Sequence, residues 1–511
     1  MPLWHVKHFK ERVRMITFLV IVIALAGIAA VGYLVIKKVH PAASIFTVGI
    51  VLMMIAAAMG KIDNATREIE ATGNAFYDEL QIVESIFANR FTGIGMAIMV
   101  LFGFVSYMRY IGADAKAVVI LSKPLRALHG SYWLIPIGFI LGNILSLVVP
   151  SAASLSLLLI ATLLPALVAS GLTPLTVGAI VVTSSTIVPT PLEAGLIQGA
   201  DLVGMPVTQY VFGHVALATI PTLLITAFIH MWWQRRCDLV DARKRADVAA
   251  GIVAATGATG AEMKAAKKGE KFASGASNSA SEATIQDALK RAANLPWFYA
   301  LLPLLPLLLI IISAALNRLG VIPFEAGILP VTVVSLFIAM IVEAIRLRSL
   351  NKAIDAGKNF FTGMGEAAGG VVALLVAAAI LVEGITQLGV IKMLTDATEG
   401  SSGAAALIIL IFVVSVALLS TLTGSGTAPY FAFSEVVPHL AESGGVLPIR
   451  MLNSMWATSN LMRQVSPVCA AVLIVSGAIN VNPIELVKRT AVPMIAATVL
   501  NVIFSFLFIH A

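Results

Sequence analysis

Charge is what this chain of 511 residues has least of: Asp, Glu, Lys and Arg make up 12% of it, about half the share of roughly 25% carried by soluble globular domains. That deficit excludes an ordinary soluble enzyme. Cysteine is almost missing, and Cys237 and Cys469 lie too far apart in sequence to suggest a disulfide framework or a metal site. Histidines such as His214, His230 and His439 stand alone. No Walker A pattern occurs, because Gly60-Lys61 and Gly357-Lys358 are followed by Ile and Asn rather than Ser or Thr, so ATP is excluded as the direct energy source. HExxH and GxSxG are also missing, which leaves an intramembrane hydrolase built on Ser425 without a base or an elbow. No motif calls for an organic cofactor.

What the chain has in abundance is apolar sequence, at 59% hydrophobic residues and a mean hydropathy of +0.95. A bilayer core about 30 Å thick needs roughly 20 apolar residues per helix, so the length allows on the order of ten spans. The expected fold is an all-α polytopic membrane protein whose main partner is the lipid bilayer. Apolar runs mark spans at 15–36, 44–60, 91–108, 207–233, 297–316, 326–342, 367–389 and 491–510. The first ends in Lys37 and Lys38 without a small-residue cleavage site and reads as a retained helix. The excess of 34 Lys and Arg over 27 Asp and Glu is spread through short connections, as the positive-inside rule produces, so no nucleic-acid partner is implied. Residues 61–90 read as an acidic outer loop, and 114–130 as an amphipathic helix lying at the membrane interface.

Two regions resist a count of straight helices. From Gly130 to Leu192 there is no charge or histidine, yet Pro150, Pro165, Pro174, Pro189 and Pro191 interrupt the run. A second region starts at Gly403 and passes through TLTGSGTAPYFAF into WATSNLMRQVSPV. The two match at a constant offset of 273 residues: Ser154 with Thr427, Pro165 with Pro438, Gly171 with Gly444 and Thr186 with Ser459. Bared backbone at membrane depth is tolerated where it is buried in protein or lines a cavity. We therefore expect two inverted repeats, each with a re-entrant helical hairpin and a broken transmembrane helix. Residues 1–233 form the first repeat, with a hairpin over about 131–170 and a broken helix over about 173–200. Residues 234–294 form a polar cytoplasmic linker. Residues 295–511 form the inverted second repeat, with a hairpin over about 403–442 and a broken helix over about 449–478. The basic residues Lys7, Lys10, Arg12 and Arg14 count against this orientation, and the remaining Lys and Arg support it.

Candidate chemistry collects where hydroxyl, amide and glycine residues meet proline. In the first half these are Ser151 and Ser154 at the hairpin tip, with Ser184, Ser185 and Thr186 at the helix break. In the second they are Gly424, Ser425, Gly426 and Thr427 at the tip, with Thr458, Ser459, Asn460 and Arg463 near the break. The second leg of each hairpin and the second half of each broken helix would start near the midplane, aiming four helix N-termini at an anion. Small and hydroxyl residues also pack helices closely, but four matched motifs in two halves are the pattern of a secondary transporter rather than a channel. An intramembrane arginine costs roughly 2.5 to 3.5 kcal/mol on insertion scales, which marks Arg463 as a binding residue or as the partner of a buried carbonyl or of Glu193. Glu193 would take a proton, help hold a cation, or reach the outer interface. Hydroxyls and carbonyls near Ser185 and Asn460 suit Na+, so Na+ and H+ both stand as coupling ions.

The stretches GFVSYMRYIGADAKAVVILSKPL, SLVVPSAASLSLLLIATLLPALVASG, TLTGSGTAPYFAFSEVVPHLAESGG, ATSNLMRQVSPV and NPIELVKRTAVP resemble the anaerobic C4-dicarboxylate carriers of the DcuC type, within the broader ion transporter superfamily. The likeness covers most of the chain from Gly93, apart from the linker, and the second hairpin is its most specific part. It implies a bacterial inner-membrane carrier of fumarate, succinate, malate or similar diacids that works as a homodimer by an elevator motion. Thr427 stands where family members have Asn, and PTPLE at 189–193 where they have PTSGD. Both departures fall at the proposed site, so carriers of amino acids or of aminobenzoyl-glutamate are the alternative.

Overall fold

The computed structural model describes residues 3–60, 71–123, 132–256, 289–390, 392–393, 402–443 and 446–510. Among them the secondary structure is helical throughout, and ten helices are long and apolar enough to cross a membrane. The first half contains α1 (Leu3–Ile36), α2 (Pro41–Ala58), α3 (Ala75–Arg90), α4 (Met96–Ile111), α5 (Ala113–Leu121), α6 (Leu134–Ser146), α7 (Ala152–Ala169), α8 (Pro174–Val182), α9 (Ala194–Leu202) and α10 (Ala216–Thr256). The second contains α11 (Leu305–Arg318), α12 (Ile328–Leu347), α13 (Leu350–Ala356), α14 (Lys358–Ala367), α15 (Ala373–Gln387), α16 (Ser402–Thr423), α17 (Thr427–Ser434), α18 (Val437–Ser443), α19 (Pro448–Met462), α20 (Ala470–Ala478) and α21 (Pro483–Phe508). The middle of the expected linker (257–288), Arg126 in the expected interfacial segment, and Gly444 lie outside the described residues, as does the side chain of His439.

Two long helical rods form a frame. The turn Phe91–Gly95 joins α3 to α4 through a kink at Gly93, whose backbone leaves the helical region at φ −80°, ψ −119°, and Ala368–Val372 joins α14 to α15 as a π-helical turn with one extra residue. The rods cross face to face, with α4 on α14 and α3 on α15. Glycine permits the crossing: a Cβ on Gly103 would lie 2.7 Å from the Phe360 carbonyl oxygen, and one on Gly363 would lie 2.8 Å from that of Phe102. Close backbone contact of this kind is how helices associate without a hydrophobic driving force. Gly95 meets Val372 at the two turns. Contacts therefore climb one rod as they descend the other, and the two run antiparallel.

Proline and glycine account for the interruptions beside this frame. α6 ends at Ser146, Pro150 stands in the connection, and Ser151 caps α7. α8 ends at Val182 and α9 begins only at Ala194, with Pro189 and Pro191 between, where they cannot donate backbone hydrogen bonds. In the second half Gly424 lies between α16 and α17 at φ +70°, and Pro467 lies between α19 and α20. The register differs between halves: α19 runs seven residues past the position that α8 predicts, so Thr186 is in a break while its counterpart Ser459 is helical.

Three expectations are corrected. The acidic outer loop is helical from Ala75, and Asp78 and Glu79 are buried in α3 rather than solvated. α5, the described start of the segment expected at the interface, does not lie exposed on a surface: Ala113, Ala115 and Ala117 let it pack closely, and it is buried against α7 and the 3-10 turn Trp297–Leu304. The polar stretch from Gln234 begins as an unbroken continuation of α10 to Thr256. It is helical there because Arg489 on α21 draws it in, pairing with Asp238 at 2.7 Å and Asp241 at 2.6 Å while Gln234 donates to the Arg489 carbonyl.

The core is built across the halves. The largest apolar cluster joins Leu196, Ile197 and Tyr210 to Tyr430, Phe431, Met455 and Trp456. A second joins Leu159, Leu163, Val177 and Ile180 to Cys469, Val472 and Val475.

Candidate functional site

The first helix break bares two carbonyl oxygens, and side chains from other elements take them. Asn143 on α6 donates to the Thr183 carbonyl at 3.1 Å and accepts from the Thr186 N–H at 3.2 Å and hydroxyl at 2.5 Å. Arg463 Nη2 donates to the Ser185 carbonyl at 3.0 Å, and Gln464 Nε2 donates to the same oxygen at 2.6 Å. The first break is thus satisfied from both halves, by Asn143 of the first and by Arg463 and Gln464 of the second, as buried polar atoms require.

Glu193 closes the break by capping α9. One carboxylate oxygen accepts the Leu196 N–H at 2.8 Å and the Trp456 indole N–H at 2.8 Å. No direct ion pair joins Glu193 to Arg463 among the described residues. The second tip is held as tightly. A Cβ on Gly424 would sit 2.8 Å from the Cys469 amide nitrogen, and its positive φ suits glycine in any case. Ser459 donates its hydroxyl to the Gly426 carbonyl, joining the tip to α19.

Between the first break, the second tip and α19 lies a cavity of about 160 Å3. Its polar wall comes from Ser185, Thr186, Thr190, Glu193, Thr427, Asn460 and Arg463, and its apolar wall includes Phe102, Phe104, Pro150, Val188 and Trp456. Arg463 reaches Ser185 through Nη2, while its buried Nε has no hydrogen-bond partner among the described residues. Two of the four expected helix starts are on the wall, α9 at Ala194 and α17 at Thr427. The starts of α7 and α20 are not.

The other expected residues lie apart from this wall. Ser151 accepts from the Ser154 N–H at 3.4 Å as the cap of α7, and Ser184 donates back to the Ile180 carbonyl at 2.8 Å. Ser425 accepts the Ala428 N–H at 3.3 Å. Thr458 is buried with its hydroxyl unpartnered among the described residues. Gly424, Gly426 and Ser459 shape the tip. The Ser185 carbonyl, expected to suit Na+ beside Asn460, already faces a guanidinium and an amide donor, and Asn460 donates to the Trp456 carbonyl at 3.1 Å. Among the described residues no group of three His, Cys, Asp or Glu could hold a metal.

Sequence reading passed over Asn143, Trp456 and Gln464. A signal for Asn143 was present, since it is the sole amide side chain between Gly130 and Leu192.

The model of one protein family, described as DcuC: C4-dicarboxylate anaerobic carrier, matches residues 16–510. A Vibrio cholerae protein named "Probable anaerobic C4-dicarboxylate transporter DcuC" is 30% identical over 492 residues, covering 96% of this chain and 97% of its own. An Escherichia coli protein named "Anaerobic C4-dicarboxylate transporter DcuC" is 29% identical over 490 residues, 96% of each chain. A match over nearly the whole length, with ten helices among the described residues long and apolar enough to cross a membrane, makes this chain a multi-pass membrane protein belonging to the DcuC family of C4-dicarboxylate anaerobic carriers.

Proposed function

We propose that this protein is a secondary carrier of C4-dicarboxylates in the bacterial inner membrane, and that the diacid binds in the cavity between the first helix break and α19. The observation that carries this reading is Arg463, a cation on the cavity wall with an unused, buried Nε–H. A dianion leaving water needs a full charge to offset desolvation, since a helix end contributes only about 0.3 to 2 kcal/mol. The start of α17 adds its dipole to the arginine, whereas that of α9 is already capped by the Glu193 carboxylate. Ser185, Thr186, Thr427 and Asn460 would orient the carboxylates by hydrogen bonds.

Alternating access would follow from two inverted repeats whose hairpins α6–α7 and α16–α17 enter and leave on one side. The antiparallel crossing of the α3–α4 and α14–α15 rods supports that reading, since equivalent helices of opposite direction are what inversion produces. The hairpins and broken helices would move together along this frame by an elevator motion in a homodimer. Exchange of one diacid for another, or cotransport with H+ or Na+, would drive the cycle; Glu193 is the candidate proton carrier.

Uptake of labelled succinate and fumarate into proteoliposomes tests the reading. Saturable uptake competed by unlabelled diacids is expected, and its lack overturns the proposal. A second reading rests on Glu193 sharing the cavity with Arg463. An acid and a base on one wall also fit a zwitterion, with its carboxylate on Arg463 and its ammonium on Glu193. Competition by an amino acid but by no diacid would favour it.

A further inference from the structure

Where α9 and α17 meet the frame, apolar side chains make the contact. Ile98 and Leu101 on α4 and Leu375 on α15 share one cluster with Leu196 and Ile197 on α9 and Phe431 on α17. Apolar contact has no preferred direction, so a boundary of this kind lets one surface slide along another. A charged hydrogen bond does not, because its heavy atoms must stay within about 3 Å of each other.

Arg90 places such bonds on this boundary. It is the last residue of α3, three positions before the kink at Gly93. Its Nη2 donates to Glu435 Oε2 at 2.6 Å, and its Nη1 donates to Asp201 Oδ2 at 3.3 Å. Glu435 directly follows α17 and is buried, whereas Asp201 on α9 is exposed. The other oxygen of Glu435 accepts from Gln198 Nε2 at 3.0 Å, and Gln198 in turn accepts from the Ser434 hydroxyl at 3.0 Å. Both acids thus belong to one cross-linked unit of hairpin and broken helix. The cation comes from the frame.

We propose that Arg90 and Glu435 form a latch that holds the carrier in the position seen in this fold, and that the translocation step must part them. The latch rests on the sliding of hairpins and broken helices along the frame set out under the proposed function. Gln198 keeps the Glu435 carboxylate aimed at Arg90, and Asp201 is a weaker contact, longer and open to solvent. None of these four residues lines the diacid cavity. They act on movement rather than on binding.

Single-molecule energy transfer between dyes on Phe361→Cys of α14 and Leu473→Cys of α20, both exposed positions, reads that movement. The full chain is used in nanodiscs, with Cys237→Ala and Cys469→Ala and with labelled copies diluted among unlabelled ones. Two distances are expected, one latched and one released. Arg90→Gln and Glu435→Gln should each raise the ratio of released to latched about tenfold or more, the worth of a hydrogen bond to a charged group. Combining them should raise it no further. Arg90→Lys should keep most of the original ratio, and Asp201→Asn should change it less than about twofold. A pair that only stabilises the fold would lower the melting temperature on Arg90→Gln or Glu435→Gln and leave the ratio unchanged, which would overturn the latch alone. One distance in every variant, with and without succinate, would overturn the sliding and the latch together.

Discussion

Replacing Arg463 with alanine separates a binding role from a structural one, because the surrounding geometry makes the two costs unequal. In the fold, Arg463 Nη2 donates to the Ser185 carbonyl, but Gln464 Nε2 reaches the same oxygen at 2.6 Å. Removing the guanidinium therefore leaves that acceptor satisfied, and the penalty of about 1–3 kcal/mol for a bared buried polar group does not arise. The fold should lose about 1 kcal/mol, the net worth of an ordinary hydrogen bond. The diacid loses a charge-assisted pair in a desolvated cavity, a truncation that costs about 2–5 kcal/mol. At about 1.4 kcal/mol per decade, that is a loss of about 30-fold or more in affinity. Arg463→Lys should fall between, since an ammonium keeps the charge but cannot make two parallel hydrogen bonds to a carboxylate. Succinate affinity from proteoliposome uptake, measured beside thermal unfolding in detergent, checks both halves of the argument. If the double variant Arg463→Ala with Glu193→Gln regains most of the lost affinity, the arginine serves to neutralise Glu193 and the substrate contact is refuted.

Asn143→Leu should abolish uptake while the protein still reaches the membrane, because it strips partners from the Thr183 carbonyl and from Thr186 at the cavity wall; normal uptake by this variant would remove Asn143 from the site. Gly363→Ala places a methyl 2.5 Å from the Ser106 Cβ and 2.8 Å from the Phe102 carbonyl oxygen, so an overpacking cost of about 1–3 kcal/mol should appear as a lower melting temperature. Asp238→Ala removes one of the two carboxylates paired with the buried Arg489 and takes the acceptor from the Thr176 hydroxyl, and breaking such a pair costs about 3–5 kcal/mol; yield and thermal stability should both drop, with Arg489→Met restoring part of the loss.

The interruptions were legible in the sequence because their causes are local: proline removes a donor wherever it stands, and glycine admits a positive φ at Gly424 whatever surrounds it. Hydroxyl chemistry was less legible. Serine serves equally well as a helix cap, as a donor to the carbonyl four residues back, or as a ligand, and spacing cannot say which; Ser151 and Ser425 cap, Ser184 bonds back, and Ser185 lines the cavity. Asp78 and Glu79 read as solvent-facing because carboxylates usually are, yet tertiary contacts bury them. The α10 extension was hidden for a similar reason. Gln234, Asp238 and Asp241 look like the start of a polar tether until Arg489, more than two hundred residues away, is placed beside them.

The cores that join α9 to α17 and α19, and α20 to α7 and α8, have a consequence for the chain as a covalent object. Each half has lent the other one of its own helices, so neither can complete its interior alone. The peptide connection through 257–288 is then not what keeps the halves together. Two polypeptides, one ending and the other beginning within that interval, should find each other in the membrane and copurify as a working pair, while either expressed alone should be degraded.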